Sequence, residues 1–370
     1  MIYLDNAATS FPKISEVKQA VDEAMDHCIN ANRSTGNDAL TTDRLLYQTR
    51  KKIALYFNLP SFDHVIFNSG NTESLNTCIK GLLNPHDHVI TTYAEHNSVL
   101  RPLYAVNADL SIVAPYKEAI EKAIRNDTKM IIMTHSSNVT GELYDIDAIG
   151  QLAYKHHILF VVDSAQSAGH IKIDMQKSHI SILTFSGHKG LLGVSGIGGL
   201  CINTDRVIKP LKTGGTGIDS YNHFQPDYYP EHLEAGTLNI PGIASLHAGI
   251  SYLLDHQKEI EEKEKSFFDT LYKEMKKIPS IHFYCDYDHN PHTPIIAFNL
   301  GDYDSAKISD LLSYRYSITT RCGAHCAPRM HEHLHTKESG IVRLSLSFMN
   351  SKEDIEEVLS ALKELSMDDH

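Results

Sequence analysis

Between about residues 60 and 205 the chain alternates short apolar runs with segments of helical spacing. HVIF (64–67), HVITT (88–92), MIIMTH (130–135), ILFVV (158–162), ISILTF (180–185) and GGLCIN (198–203) read as buried strands. They are β-branched, nearly continuous and bounded by polar turns, as strands covered on both faces should be. In TESLNTCIKGLL (72–83), Leu75, Cys78, Ile79, Leu82 and Leu83 fall on one helical face, and IDAIGQLAYKHH (146–157) has a similar stripe. Strand–helix alternation predicts an α/β domain with a mostly parallel sheet. From about residue 254 the texture changes. HQKEIEEKEKSFFDTLYKEMKKI (256–278) predicts a long charged helix joining two domains. TPIIAFNL (293–300), a helical stretch near 304–314, IVRLSLSF (341–348) and the helix KEDIEEVLSALKEL (352–365) predict a smaller α+β unit. No repeat or low-complexity segment interrupts the pattern.

In open α/β sheets, ligands bind beyond the carboxyl ends of the strands. HVIF is followed by NSGNTES, which reads either as an ordinary N-cap or as a cradle of backbone N–H groups for an anion. YAEHNS puts His96 after the second strand, and SSNVTGE puts Asn138 after the third. DSAQSAGH brings Asp163 and Gln166 out of an apolar strand, where a carboxylate needs a positive partner. SGHKGLLGVSGIGG places Ser186, His188 and Lys189 on a tight turn between apolar strands, a setting that lowers a lysine pKa. The glycines match neither G-x-G-x-x-G nor G-x-x-x-x-G-K-[ST], so the common nucleotide motifs are absent. A phosphate loop, a buried acid, a buried lysine and a histidine at one sheet edge are what pyridoxal phosphate needs.

Composition narrows the class. At 42% apolar and 22% charged residues the chain is globular, and its net charge of −12 argues against a partner bound through nucleic-acid phosphates. No apolar run reaches the length of a membrane span, and MIYLDNAATSFPK lacks the layout of a signal peptide. The six cysteines form no framework, which leads us to expect free thiols in the cytoplasm and no membrane partner.

These motifs together resemble the class V aminotransferase group of fold-type-I pyridoxal-phosphate enzymes, in particular its cysteine desulfurase and selenocysteine lyase branch. The resemblance runs from YLDNAAT (3–9) through SGNTESLN, EHNSVLRPL, SSNVTGE, VVDSAQSAGH, SGHKG, EAGTLN (234–239) and RCGAHCAP to the arginine of IVRLSLS. It implies a large cofactor-binding domain over 15–255 and a small domain over 1–14 plus 256–370. It implies that Lys189 is the Schiff-base lysine, that Asp163 pairs with the pyridinium nitrogen and that Gln166 bonds the ring's phenolic oxygen. His96 would stack on the ring, with a part in catalysis, and Asn138 would lie between ring oxygen and substrate. Asn71, Thr72, Ser186 and His188 would hold the phosphate, and Thr237 would reach that of a neighbouring subunit in a homodimer. Arg343 would clamp the substrate carboxylate, with Arg321 also on the substrate side, and Cys326 would receive sulfur as a persulfide. The implied reaction is L-cysteine to L-alanine. The alternatives are L-selenocysteine as substrate, or another class V aminotransferase or lyase in which Cys326 is not catalytic. A sulfur- or selenium-acceptor protein is an implied partner. Asn71 departs from the family, where threonine is frequent, as does Cys322, where alanine or threonine is usual.

The segment RCGAHCAPRMHEHLH (321–335) also invites a zinc reading through Cys322, Cys326, His331, His333 and His335. C-x₃-C suits zinc, but alternate histidines point apart on a helix, so no metal is expected. A thiolate at Cys326 needs a positive neighbour, since a free thiol titrates near ~8.5. Arg321, His96 and His325 are the candidates. Cys322 and the three later histidines have no assigned role.

Overall fold

The structure, a computed structural model, describes residues 1–29 and 36–367. After the short strand β1 (Ile2–Tyr3) and the helices α1 (Ser15–His27) and α2 (Asn37–Phe57), strands and helices alternate. They run β2 (Val65–Asn68), α3 (Asn71–Leu82), β3 (His88–Thr92), α4 (Asn97–Ala105), β4 (Asp109–Val113), α5 (Lys117–Ala123), β5 (Thr128–Thr134), α6 (Ile146–Lys155), β6 (Leu159–Asp163), β7 (Ile182–Ser186) and β8 (Gly198–Ile202). The strands form one seven-stranded sheet in the order β2-β8-β7-β6-β5-β3-β4. The four pairs from β7 to β4 are parallel, and β8 runs antiparallel to both its neighbours. This is the mostly parallel sheet that the alternation predicts.

Strand β4 escapes the sequence pattern for a physical reason. It is an edge strand, none of its residues is fully buried, and so DLSIV shows no continuous apolar run. The long helix also differs from expectation. It begins at Ile240, not near 256, and α7 (Ile240–Met275) runs 36 residues without a break. Asn239 caps it, its side chain accepting from the Gly242 N–H at 3.0 Å. Its first half buries Ile243, Leu246, Ile250 and Leu253 in one core, alongside α1 and α2, and its second half buries Phe267, Phe268, Leu271 and Met275 in another. At about 1.5 Å per residue the helix spans roughly 54 Å, long enough to serve both. Only its second half carries the surface charge that marks a helix to the eye.

The second core gathers β9 (Ile281–Phe283), β10 (Ile295–Leu300), α8 (Ser305–Tyr316), β11 (Ile318–Thr319), β12 (Val342–Ser345) and α10 (Lys352–Met367), while α9 (Pro328–His333) packs through Met330 into the first core. β12-β10-β9 form an antiparallel sheet, and β1 pairs in parallel with β11, which draws Ile2 and Leu4 into this core. Residue 255 lies in the middle of α7. No described helix is long and apolar enough to cross a membrane.

One buried ion pair ties α2 to the main sheet. Arg50 donates to both oxygens of Glu234, at 2.7 and 3.0 Å, and to the Val65 carbonyl. Glu234 also accepts from the Phe67 N–H at 2.7 Å, and the guanidinium sits 4.5 Å above the Phe67 ring. Both side chains are more than nine-tenths buried. Removing one partner strands a buried charge, so Glu234→Ala should lose about 3–5 kcal/mol in urea unfolding, with Glu234→Gln losing less. A loss within ~0.5 kcal/mol, the range of ordinary surface changes, would show the pair to be dispensable.

Candidate active site

The residues that follow β2, β3, β5, β6 and β7 meet at the carboxyl edge of the sheet. They enclose a cavity of about 230 Å³ walled by, among others, Thr72, His96, Asn138, Asp163, Gln166 and Lys189. Asn71, Ser186 and His188 also line it. Nine of the residues singled out in the sequence thus share one cavity, although they span residues 71–189. Two glycines let the loops close this far. Gly169 has φ +94°, and a Cβ there would lie 2.1 Å from the Gly190 carbonyl oxygen. The loop after Asp163 therefore packs backbone to backbone against the turn that carries Lys189.

Asp163 ends β6 almost wholly buried. Its Oδ1 accepts from the Ala165 N–H at 2.9 Å and from the Asn71 amide at 2.8 Å. Burial holds its carboxyl above the usual range, opposed by Ala165, Lys189 and Asn71. Lys189 is half-buried by exposed area, yet burial pulls its amine down to about 8, with Arg343 and Arg321 adding and Asp163 opposing. The Asn71 side chain is turned onto the Asp163 carboxylate, and its Oδ1 is buried without a partner. At the same helix start, the Glu73 and Ser74 N–H groups bond back to the Gly70 carbonyl. Those of Asn71 and Thr72 sit at the helix N-terminus beside the cavity, where helix dipole and N–H groups favour an anion. His188 Nδ1 is buried and unpartnered.

His96 caps α4, its Nδ1 accepting from the Ser98 N–H at 3.0 Å, which leaves the proton of the neutral ring on Nε2. Ser98 Oγ bridges His96 Nδ1 at 2.9 Å and Thr72 Oγ1 at 2.8 Å, a link the sequence did not announce. Burial, then Lys189 and Arg321, push His96 down to about 4. His325 is pushed further, to about 2, by burial, Arg343 and His331. Both rings are therefore neutral near pH 7 and bring no positive charge to a thiolate. Of the three expected neighbours of Cys326, Arg321 alone remains a cation.

Four other expected residues lie outside the cavity wall. Thr237 is exposed and lines a separate depression with Lys212 and Glu73. Arg343 is 1% exposed, and its guanidinium is already engaged, Nη1 with the Asn138 carbonyl and Nη2 with Asp5 Oδ1, each at 2.7 Å. Arg321 is half-buried and forms an isolated antiparallel bridge with Arg343 through a pair of backbone hydrogen bonds. Cys326 is exposed, but its backbone is pinned to the site. Its carbonyl accepts from the Asn97 N–H at 2.7 Å, and the His325 carbonyl accepts from the Asn138 amide at 2.7 Å. His325 and Cys326 both have positive φ, +49° and +57°, so the thiol stands on a strained left-handed turn. Gln166 donates to the Ala7 carbonyl at 3.0 Å, which brings the N-terminal segment to the cavity.

The histidines after Cys326 pack instead of converging. His331 is buried, bonds Thr336 Oγ1 at 2.8 Å and lies parallel to the His325 ring at 5.8 Å, while His333 stacks on Tyr93 at 4.0 Å. Among the described residues no three His, Cys, Asp or Glu side chains are grouped to hold a metal ion.

The chain is 30% identical to a probable cysteine desulfurase of Methanothermobacter thermautotrophicus, over 99% of this chain and 94% of the relative. It is 31% identical to a probable cysteine desulfurase of Pyrococcus abyssi, with 99% and 94% covered. Among solved structures it matches the apo cysteine desulfurase of Thermococcus onnurineus NA1, with a TM-score of 0.88, 30% identity and 99% and 94% of the two chains covered. It also matches an Escherichia coli cysteine desulfurase in its S-sulfonic acid form, with a TM-score of 0.87, 26% identity and 98% and 94% covered. The family model described as aminotransferase class-V spans residues 2–358, and this protein belongs to the class V aminotransferase family.

Proposed function

We propose that the cavity takes pyridoxal 5′-phosphate and that the protein is a cysteine desulfurase, converting L-cysteine to L-alanine and keeping the sulfur on Cys326 as a persulfide. The observation that carries this reading is that the Lys189 amine and the buried Asp163 carboxylate share one cavity and act on each other's charge. The donors bonded to Asp163 are neutral, so a protonated ring nitrogen would supply the missing positive partner. The N-terminus of α3, Ser186 and the unpartnered His188 Nδ1 suit a phosphate. The names of the relatives point the same way.

When bound, the cofactor supplies an aldehyde that condenses with amines and a ring that takes up electrons from the adjacent carbon. The protein's own groups do the rest. Lys189, held at about 8, keeps an appreciable unprotonated fraction near neutral pH and can take a proton from the substrate Cα and return one. Neutral His96 would cover the ring without adding charge, and Gln166 would face its oxygen. Asn138, Arg321 and Arg343 orient the substrate carboxylate. The Cys326 thiolate attacks the substrate sulfur. The carbon–sulfur bond breaks, its electron pair stays with the carbon skeleton, and protonation releases alanine. The exposed position of Cys326 suits transfer of its sulfur to an outside thiol, on a protein or a small molecule.

One hydrophobic core draws only on residues 1–14 and 256–370, which supports a small unit over those residues beside a large one over 15–255. Exposed Thr237, away from its own cavity, fits a homodimer in which it serves the neighbouring site. A cytoplasmic setting agrees with six free thiols. The exposed thiol, outside the cavity wall, favours one second reading, a class V enzyme in which Cys326 takes no part.

Three measurements test these roles. In cofactor-free protein, modification of Lys189 by trinitrobenzenesulfonate, read by peptide mass spectrometry, should rise with pH around a midpoint near 8, because only the unprotonated amine reacts. Lys189→Ala should abolish the visible absorbance of the cofactor-loaded protein, and a midpoint above ~10, the ordinary lysine value, would remove the buried-amine argument. Cys326→Ala should keep that absorbance but lose on the order of 10²-fold or more in alanine formed from L-cysteine, with a smaller loss from L-selenocysteine. Undiminished cysteine activity would favour the second reading.

A further inference from the structure

The carboxylate anchor expected at Arg343 is already occupied. Its Nη2 donates to Asp5 Oδ1 at 2.7 Å and its Nη1 to the Asn138 carbonyl at 2.7 Å, while Nε is buried without a partner. A bidentate carboxylate needs two neighbouring N–H groups of the guanidinium fork. Asn138 and Asp5 each take one N–H of the Nη1/Nη2 edge, and the remaining N–H groups, that of Nε among them, are enclosed by protein. The side chain is 1% exposed, so there is no open approach for an additional ligand. Asp5 is the one partner of this guanidinium that can leave. Its side chain is 17% exposed, whereas the Asn138 carbonyl is fixed backbone.

We propose that Asp5 is a resident carboxylate that holds Arg343 in position and must yield the guanidinium to the carboxylate of an incoming ligand, so that Asp5 sets the affinity of the site for carboxylates. The inference rests on the reading of Arg343 as a carboxylate anchor. Asp5 is a positioning residue, acting on the ligand through Arg343.

The strap that carries Asp5 gives the exchange a reach beyond one ion pair. Asn6 donates its side-chain amide to the Ser345 carbonyl at 3.0 Å, and the Ala7 N–H donates to Ser345 Oγ at 2.9 Å. The Ala7 carbonyl accepts from Gln166 at 3.0 Å. Thr9, Ser10 and Lys13 then all donate to the His188 carbonyl, one peptide before Lys189. Asp5 and Arg343 both act on the charge of the Lys189 amine, Asp5 favouring its protonated form and Arg343 opposing it. Releasing Asp5 therefore removes one tie from a segment bonded to both Gln166 and the lysine turn.

Propionate tests the proposal, because it offers a carboxylate without an amine or thiol to react. Its dissociation constant is measured by calorimetry on cofactor-loaded wild type, Asp5→Asn and Arg343→Gln. Asp5→Asn removes a competing charge a few ångströms from the anchor and should tighten propionate about tenfold, and Arg343→Gln should abolish binding. Unchanged or weaker binding in Asp5→Asn, with binding lost in Arg343→Gln, overturns the role of Asp5 alone. Binding that survives Arg343→Gln overturns the anchor reading itself. A measurement on wild type needs no variant to fold: saturating propionate should speed amide hydrogen exchange at Asn6 and Ala7 several-fold, and unaltered exchange there overturns the displacement.

Discussion

The exclusion of water from ionisable groups at the carboxyl edge of the sheet governs the rest of the site. A carboxylate, an amine, a guanidinium and several imidazoles are packed there among strands with fully buried interiors. Taking each charge out of water costs several kcal/mol unless a partner compensates, and the neighbours are arranged around that cost. Asp163 draws an amide and a peptide N–H, Arg343 draws Asp5 and a carbonyl, and the imidazoles of His96 and His325 give up their protons. Lys189 is left with an amine near 8, in the range where proton transfer at neutral pH works in both directions.

That electrostatic arrangement depends on backbone contacts far apart in sequence. The strap of residues 5–13 touches the 343–345 strand, Gln166 and the Lys189 turn, so the N-terminus belongs to the site although it contributes no wall to the cavity. The Cys326 turn is pinned in the same way, through Asn97 and Asn138. Two successive residues with positive φ persist there because hydrogen bonds on both carbonyls and the parallel rings of His325 and His331 hold the turn from several sides. The histidine-rich run after the cysteine thus has a packing role, and Thr336 and Tyr93 supply the partners that a metal would otherwise provide.

The sheet interior and most of the cavity wall are legible in the order of residues alone. Runs such as ILFVV and ISILTF are legible because strands covered on both faces must be apolar throughout, and polar residues at their ends stand out against that background. Asp163, Gln166, Ser186, His188 and Lys189 were visible for that reason. Half-exposed β4 and the apolar first half of α7 were not, because an edge strand carries little apolar signal and a buried helix lacks a polar face. Which partner each charge receives is set in the folded chain. Asn71 turned to Asp163, Ser98 joined His96 to Thr72, and Asp5 took Arg343 across 338 residues of chain. Residue type announces that a buried charge needs a partner, but the choice among distant candidates is made by how the loops pack, and no local pattern encodes it.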